Sequence, residues 1–285
     1  MNSRILAALG SILLIAAAVW VAASRYPGTT RADARLGRDA APTGGVANAP
    51  DAGERVTLRF FRDPAIVPAF TVHDLDGRAL SSGDWRGKVT IVNFWATWCP
   101  PCRAEIPDLI ALQEKYRDRL QVVGMSEDDA SPEVVKRFVA EHKMNYPVAM
   151  TTEDVRRIFP GISALPTSFI VDREGRVVQK HVGMLNASVT EQETRVLAGL
   201  PVNATIEQID KVTPAKLENA QAITIPGIDL SHLTPDQRVA AVQKLNSDGC
   251  TCGCDLTLAK CRIDDPSCGV SLPLARKIVE QIARR

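Results

Sequence analysis

Seven cysteines fall into two groups in this chain, and their spacing is the first feature that could do chemistry. Cys99 and Cys102 enclose two prolines, while Cys250, Cys252, Cys254, Cys261 and Cys268 crowd into nineteen residues near the carboxy terminus. A pair separated by two residues can cycle between dithiol and disulfide, hold a static disulfide, or supply half of a zinc site. Zinc asks for a second ligand pair at suitable spacing, and between residues 103 and 249 there is no cysteine and only scattered histidine. Redox cycling suits the placement better, because the pair sits where the apolar run VTIVNFWA gives way to a helical stretch from Pro100 to about Arg117. Cys99 is then expected at the N-cap, where unpaired backbone N–H groups and the helix dipole stabilise a thiolate, with Pro100 at the first helical position, where no N–H is needed. Cys99 becomes the attacking nucleophile, and Cys102, on the same helical face, resolves the mixed disulfide.

The tail group reads differently. Three cysteines alternate and two follow at seven-residue intervals, and five cysteines allow two bridges with one thiol left over. A disulfide-stapled helical hairpin is the expectation; a copper(I) or zinc thiolate site and a redox relay with Cys99 and Cys102 are the alternatives. His73, His142, His181 and His232 are scattered and read as structural or solvated.

The rest of the chain must position these groups. Its 285 residues are 45% hydrophobic and 24% charged, which excludes a disordered polypeptide, and 34 basic against 33 acidic side chains leave no field to draw it to nucleic acid. Residues 5 to 23 carry no charge and at about 1.5 Å per residue match a bilayer core. They predict a membrane segment over 1–25, read as a retained anchor, with cleavage after Ala23 as the alternative. Residues 26–55 read as a flexible linker. From Val56 strand and helix patterns alternate: VTLRFF, a turn at Asp76-Gly77, the buried strand VTIVNFWA, LQVVGMS, a helix opened by Ser131-Pro132, YPVAM, a short helix at Glu153 to Ile158, then TSFIVD and RVVQKHVG as a hairpin. A domain over 56–200 with a mixed sheet follows, closed by a helix near Thr190 to Leu200. Residues 201–230 read as a connector with one short helix, and 231–285 as a Cys-rich helical tail opened by the capping box Thr234-Pro235-Asp236-Gln237.

The run GKVTIVNFWATWCPPCRAEIPDL, with FTVHDLDGRALS before it and LPTSFIVDREGRV and HVGML after it, resembles the TlpA/ResA-like branch of the thioredoxin superfamily from about Phe70 to about Leu185. The resemblance implies an α/β thioredoxin-like fold, a redox-active Cys99–Cys102 disulfide and no cofactor. It further implies a cis peptide at Leu165-Pro166, exposing Leu165 backbone groups, beside Thr167, to a substrate strand. Glu105 matches an acidic residue beside the disulfide, where a carboxylate raises thiol pKa values and relays protons. Trp98 is expected to shield the pair. Asn93 stands where thioredoxins place a buried aspartate, so proton handling cannot come from there. A peroxidase of the same superfamily needs a lone cysteine with threonine three residues before it, and Ala96 occupies that position.

The expected activity is thiol-disulfide exchange, in the direction of reducing client disulfides. The resemblance implies a bacterial inner-membrane location with the body facing the periplasm, a membrane thiol electron donor, and apocytochrome c or copper-site cysteines as clients. An oxidant or isomerase, and a metallochaperone or scaffold whose tail binds copper or zinc, are the competing readings.

Overall fold

A computed structural model describes residues 55–210 and 219–284. The expected membrane segment at 1–25 and nearly all of the linker at 26–55 lie outside these residues. Among the described residues no helix is long and apolar enough to cross a membrane.

The chain runs β1 (Val56–Phe61), β2 (Ala65–Ile66), β3 (Thr71–His73), β4 (Ala79–Ser81), a 3-10 turn at Ser82–Trp85, β5 (Val89–Trp95), α1 (Pro100–Lys115), β6 (Leu120–Ser126), α2 (Pro132–Glu141), β7 (Val148–Met150), α3 (Glu153–Ile158), β8 (Ala164–Leu165), β9 (Thr167–Val171), β10 (Arg176–Val182) and α4 (Ala187–Leu197). Six strands form one sheet in the order β2-β10-β9-β5-β6-β7. β5, β6 and β7 run parallel, while β9 runs antiparallel to both of its neighbours, β5 and β10, which makes the mixed sheet of a thioredoxin-like fold. β5 lies at its centre and is buried along its whole length, as a run apolar on both faces requires. Each fully buried Val, Ile or Phe there contributes about 1.5–3 kcal/mol, so the strand that ends at the cysteine pair is among the most firmly held in the molecule.

One close approach fixes the neighbouring strand. A Cβ on Gly124 of β6 would stand 2.9 Å from Trp95 Nε1 and 3.1 Å from Val148 Cγ2. Only glycine leaves the Trp95 indole room beneath the active-site loop.

Residues 201–230 depart from the expected connector. They hold two strands, β11 (Ala204–Ile209) and β12 (Gln221–Ala222), and no helix among the described residues. β11 pairs in parallel with β1, from Val56↔Ala204 to Phe61↔Ile209, and Arg59 bonds Glu207 across the ribbon at 3.0 Å. Most side chains of β11 face solvent, so it carries little apolar periodicity, and its partner lies far away in sequence. β12 pairs antiparallel with β8.

The tail forms α5 (Pro235–Ser247), α6 (Leu258–Asp264) and α7 (Ser271–Ala283) around a small core of its own that includes Ala241, Leu245, Leu258, Ala275 and Ile278. The capping box at Thr234 and Gln237 forms in both directions. Within the Cys-rich stretch, α6 opens on Thr257, whose hydroxyl accepts from Lys260 N.

Candidate active site

β5 delivers the chain to the site, and α1 begins there. Cys99 is the N-cap of α1, its sulfur accepting from Cys102 N at 3.3 Å, with Pro100 inside the first turn. The two cysteines are joined as a disulfide. Both are fully buried. Ahead of them, Asp128 anchors the loop: its carboxylate accepts from Thr97 N at 3.0 Å, from Thr97 Oγ1 at 2.6 Å and from Ser126 Oγ at 2.8 Å. Sequence reasoning missed Asp128. Its only signal is an acidic cluster, Glu127-Asp128-Asp129, at the end of β6, and nothing local says that Asp128 turns toward Thr97. Glu127 is also buried and pairs with Arg156; burial is the main cause that raises its pKa.

Glu105 lies one helical turn beyond Cys102 and is buried. Its Oε1 accepts from Asn93 Nδ2 at 2.7 Å and its Oε2 from Leu185 N at 2.9 Å. Asn93 also donates to Ser168 Oγ at 2.9 Å, across the β5–β9 ladder. Asn93 is thus a buried, hydrogen-bonded core residue, and its amide holds the carboxylate in place. Burial pushes the Glu105 carboxyl up to about 7, against the opposing pull of the Leu185 and Asn93 hydrogen bonds. At neutral pH this group is poised between its charged and neutral forms.

The Leu165-Pro166 bond is cis, and Thr167 Oγ1 donates to Ala164 O at 2.7 Å in the same turn. Leu165 differs from expectation in one respect. Its strand edge is not open: β12 lies on it, with Gln221 opposite Leu165 and Ala222 opposite Ala164. Met184 N donates to Asn219 O at 3.0 Å, Gln243 Nε2 of α5 to Trp98 O at 3.1 Å, and Arg238 of α5 reaches Asp129 at 2.8 Å. The region after the thioredoxin-like domain therefore covers the edge beside Pro166 and holds the backbone at Trp98. Trp98 itself is half-buried next to the disulfide, and Trp95 packs against Phe138. Of the histidines, His181 bonds the buried Glu193 at 3.0 Å, and His142 bonds the Phe138 carbonyl at 2.9 Å and stacks on that ring.

The bridges expected among the tail cysteines do not form. All five are unpaired, with Cys250 and Cys261 buried, Cys252 and Cys254 exposed and Cys268 between. Four of them, Cys250, Cys252, Cys261 and Cys268, gather into one group that includes neither Cys99 nor Cys102.

A dithiol/disulfide pair at the first turn of the first core helix, with a cis-proline turn in the same domain, defines a thioredoxin-like oxidoreductase. Comparison with known proteins agrees. The AhpC/TSA family model matches residues 65–180. The chain is 35% identical over 118 residues to thiol-disulfide oxidoreductase ResA of Bacillus anthracis, covering 41% of this chain and 68% of that one. It is 33% identical over 129 residues to the thioredoxin-like protein YneN of Bacillus subtilis, covering 45% and 75%. Among solved structures, a thioredoxin-family thiol:disulfide interchange protein from Chlorobium tepidum is 35% identical, with a TM-score of 0.46 over 48% of this chain and 98% of that one. The chain belongs to the ResA-type thiol-disulfide oxidoreductases. The AhpC/TSA domain also serves peroxidases, but here a second cysteine closes a disulfide on Cys99 and Ala96 stands three residues before it.

Proposed function

We propose that this oxidoreductase works as a membrane-tethered reductant in the bacterial envelope, opening disulfides in client proteins of the cytochrome c or copper-site maturation type. The buried Glu105 carboxyl, one turn beyond Cys102, carries the reductive direction. A pair becomes oxidising when its reduced thiolate is strongly stabilised. A carboxylate beside the pair opposes thiolate charge, destabilises the reduced form, and so favours giving electrons away. The uncharged run at 5–23 supports the tether, and the family resemblance supports the client class.

In the forward cycle, the Cys99 thiolate attacks one sulfur of the client disulfide, and the client's other sulfur leaves as a thiolate and takes a proton. Cys102 then loses its proton to the Glu105 carboxylate or to water and attacks Cys99 Sγ. The mixed disulfide breaks, the client leaves as a dithiol, and two electrons have passed from the pair to the client. A membrane thiol donor restores Cys99 and Cys102. A client strand that pairs with Leu165 has to displace Gln221 of β12.

The test is the reduction potential of the pair in the full chain, read by differential alkylation of the peptide that carries both cysteines, so that the tail thiols do not contribute. A value near the about −270 mV of thioredoxin supports the reductant. A value near the about −120 mV of DsbA makes the chain a donor of disulfides and overturns the direction.

A further inference from the structure

We infer that Cys250, Cys252, Cys261 and Cys268 form a mononuclear zinc site of four thiolates that holds the tail together. Their four sulfurs all lie within 4.8 Å of one another. Zinc at about 2.3 Å from each of four sulfurs sets the sulfurs roughly 3.8 Å apart. Cys252 Sγ is 3.3 Å from Cys250 Sγ and 3.9 Å from Cys261 Sγ, which brackets that spacing. A disulfide needs about 2.0 Å, and the four converge on a common centre rather than in pairs. Cys254 stays outside the set and exposed, although its sulfur touches Cys252 at 3.0 Å.

Three separate segments meet at these sulfurs. The first is a loop closed at its base by Cys250 N to Leu256 O and by Leu258 N to Asp248 O, both 2.8 Å. It turns at Gly253 and Asp255, both with positive φ. The second is α6, which supplies the buried Cys261, and the third is the turn at Asp265 to Cys268 that leads into α7. Between Gly249 and Asp255 the loop has no large apolar side chain to bury. The tail's own core is small, and units of this size commonly need a metal or a disulfide staple. With no sulfur–sulfur bond in the tail, the four thiolates are what can join loop, helix and turn.

The donor set also selects the metal. Tetrahedral S4 is a zinc or iron–sulfur pattern, but a cluster places several atoms between its thiolates and requires them farther apart than this. Copper(I) is satisfied by fewer thiolates and would leave one of the four without a role. Binding exchanges four S–H bonds for four Zn–S bonds and releases the protons to solvent, with no change of oxidation state.

The full chain, isolated under reducing conditions without chelator, is expected to carry one zinc per chain. After stripping, it should take up one cobalt(II), giving the visible bands of a tetrahedral ion and near-ultraviolet thiolate-to-metal charge transfer that added zinc abolishes. A Cys99→Ser/Cys102→Ser background should give the same result, which separates this site from the active-site thiols. Loss of a supporting group around a metal costs about 10–100-fold in affinity, so loss of a ligand in Cys261→Ser or Cys268→Ser should cost at least that. Cys252→Ser, on an exposed side chain, should do the same without disturbing the core, and Cys254→Ser should leave affinity unchanged. Stoichiometric copper or iron, tail cysteines in disulfides when the chain is isolated without reductant, cobalt without sulfur charge transfer, or Cys254→Ser as costly as Cys252→Ser would each overturn the assignment.

Discussion

Replacing Glu105 by glutamine should change how the stability of this protein depends on pH, by an amount the site geometry fixes. Burial raises the carboxyl from an ordinary 4.5 to about 7, with Asp108 adding to the rise and the Leu185 N–H, the Asn93 amide and His181 opposing it. A carboxyl whose folded value is raised favours folding in its neutral form. Its contribution is fully present below the unfolded value and is lost as pH climbs through the folded one. At about 1.4 kcal/mol per pH unit, the wild type should lose about 3 kcal/mol between roughly pH 4.5 and pH 8 that Glu105→Gln does not lose. The amide carries its own cost. It offers one acceptor where the carboxylate offers two, so either Asn93 Nδ2 or Leu185 N meets a second donor, at about 1–3 kcal/mol. The glutamine variant is therefore the less stable protein in acid and draws level or passes the wild type in base. Urea unfolding of the oxidised protein across that range, with equal m-values for the two proteins, measures the gap directly. A gap that stays constant within about 1 kcal/mol would show that Glu105 does not titrate in this window and would remove it as a proton relay. The same variant should also flatten the pH dependence of the Cys99/Cys102 potential near neutrality, a change that a merely structural role would not produce.

Gly124→Ala places a methyl group against Trp95 Nε1 and Val148, and should destabilise the fold by about 1–3 kcal/mol, seen as a lower Tm. Arg238→Glu breaks the contact with Asp129 and sets like charges together. An exposed pair of this kind is worth about 0.2–1 kcal/mol, so reduction of the Cys99–Cys102 disulfide by a small dithiol should speed up as much as about fivefold, and an unchanged rate would show that α5 does not limit access to the pair. Asp128→Ala leaves Thr97 N without its acceptor and should slow turnover of a model disulfide while lowering stability by about 1–3 kcal/mol; full activity would show that the loop before Cys99 holds its position without it.

What the sequence determined about this protein rests on signals carried within a few residues. The apolar run of β5, the proline after Cys99, the Asp76-Gly77 turn and the capping box at Thr234 each fix a local conformation by contacts close along the chain, and each element formed where expected. The cysteine pair and the Leu165-Pro166 turn were readable for the same reason, helped by a family resemblance. What needed the tertiary structure depends on partners far apart in sequence. Glu105 looks like an ordinary helix-surface glutamate until Asn93 and Leu185 close over it. β11 has little periodicity of its own and exists because β1, about 150 residues earlier, supplies its hydrogen bonds. β12 is two residues long and is a strand only because β8 is there to pair with it. The cysteine spacing of the tail reads first as bridges, with a metal as an alternative. Only the meeting of loop, helix and turn brings four sulfurs within 4.8 Å of one another, because the number of thiols is written in the chain and their separation is set by the packing of α5, α6 and α7.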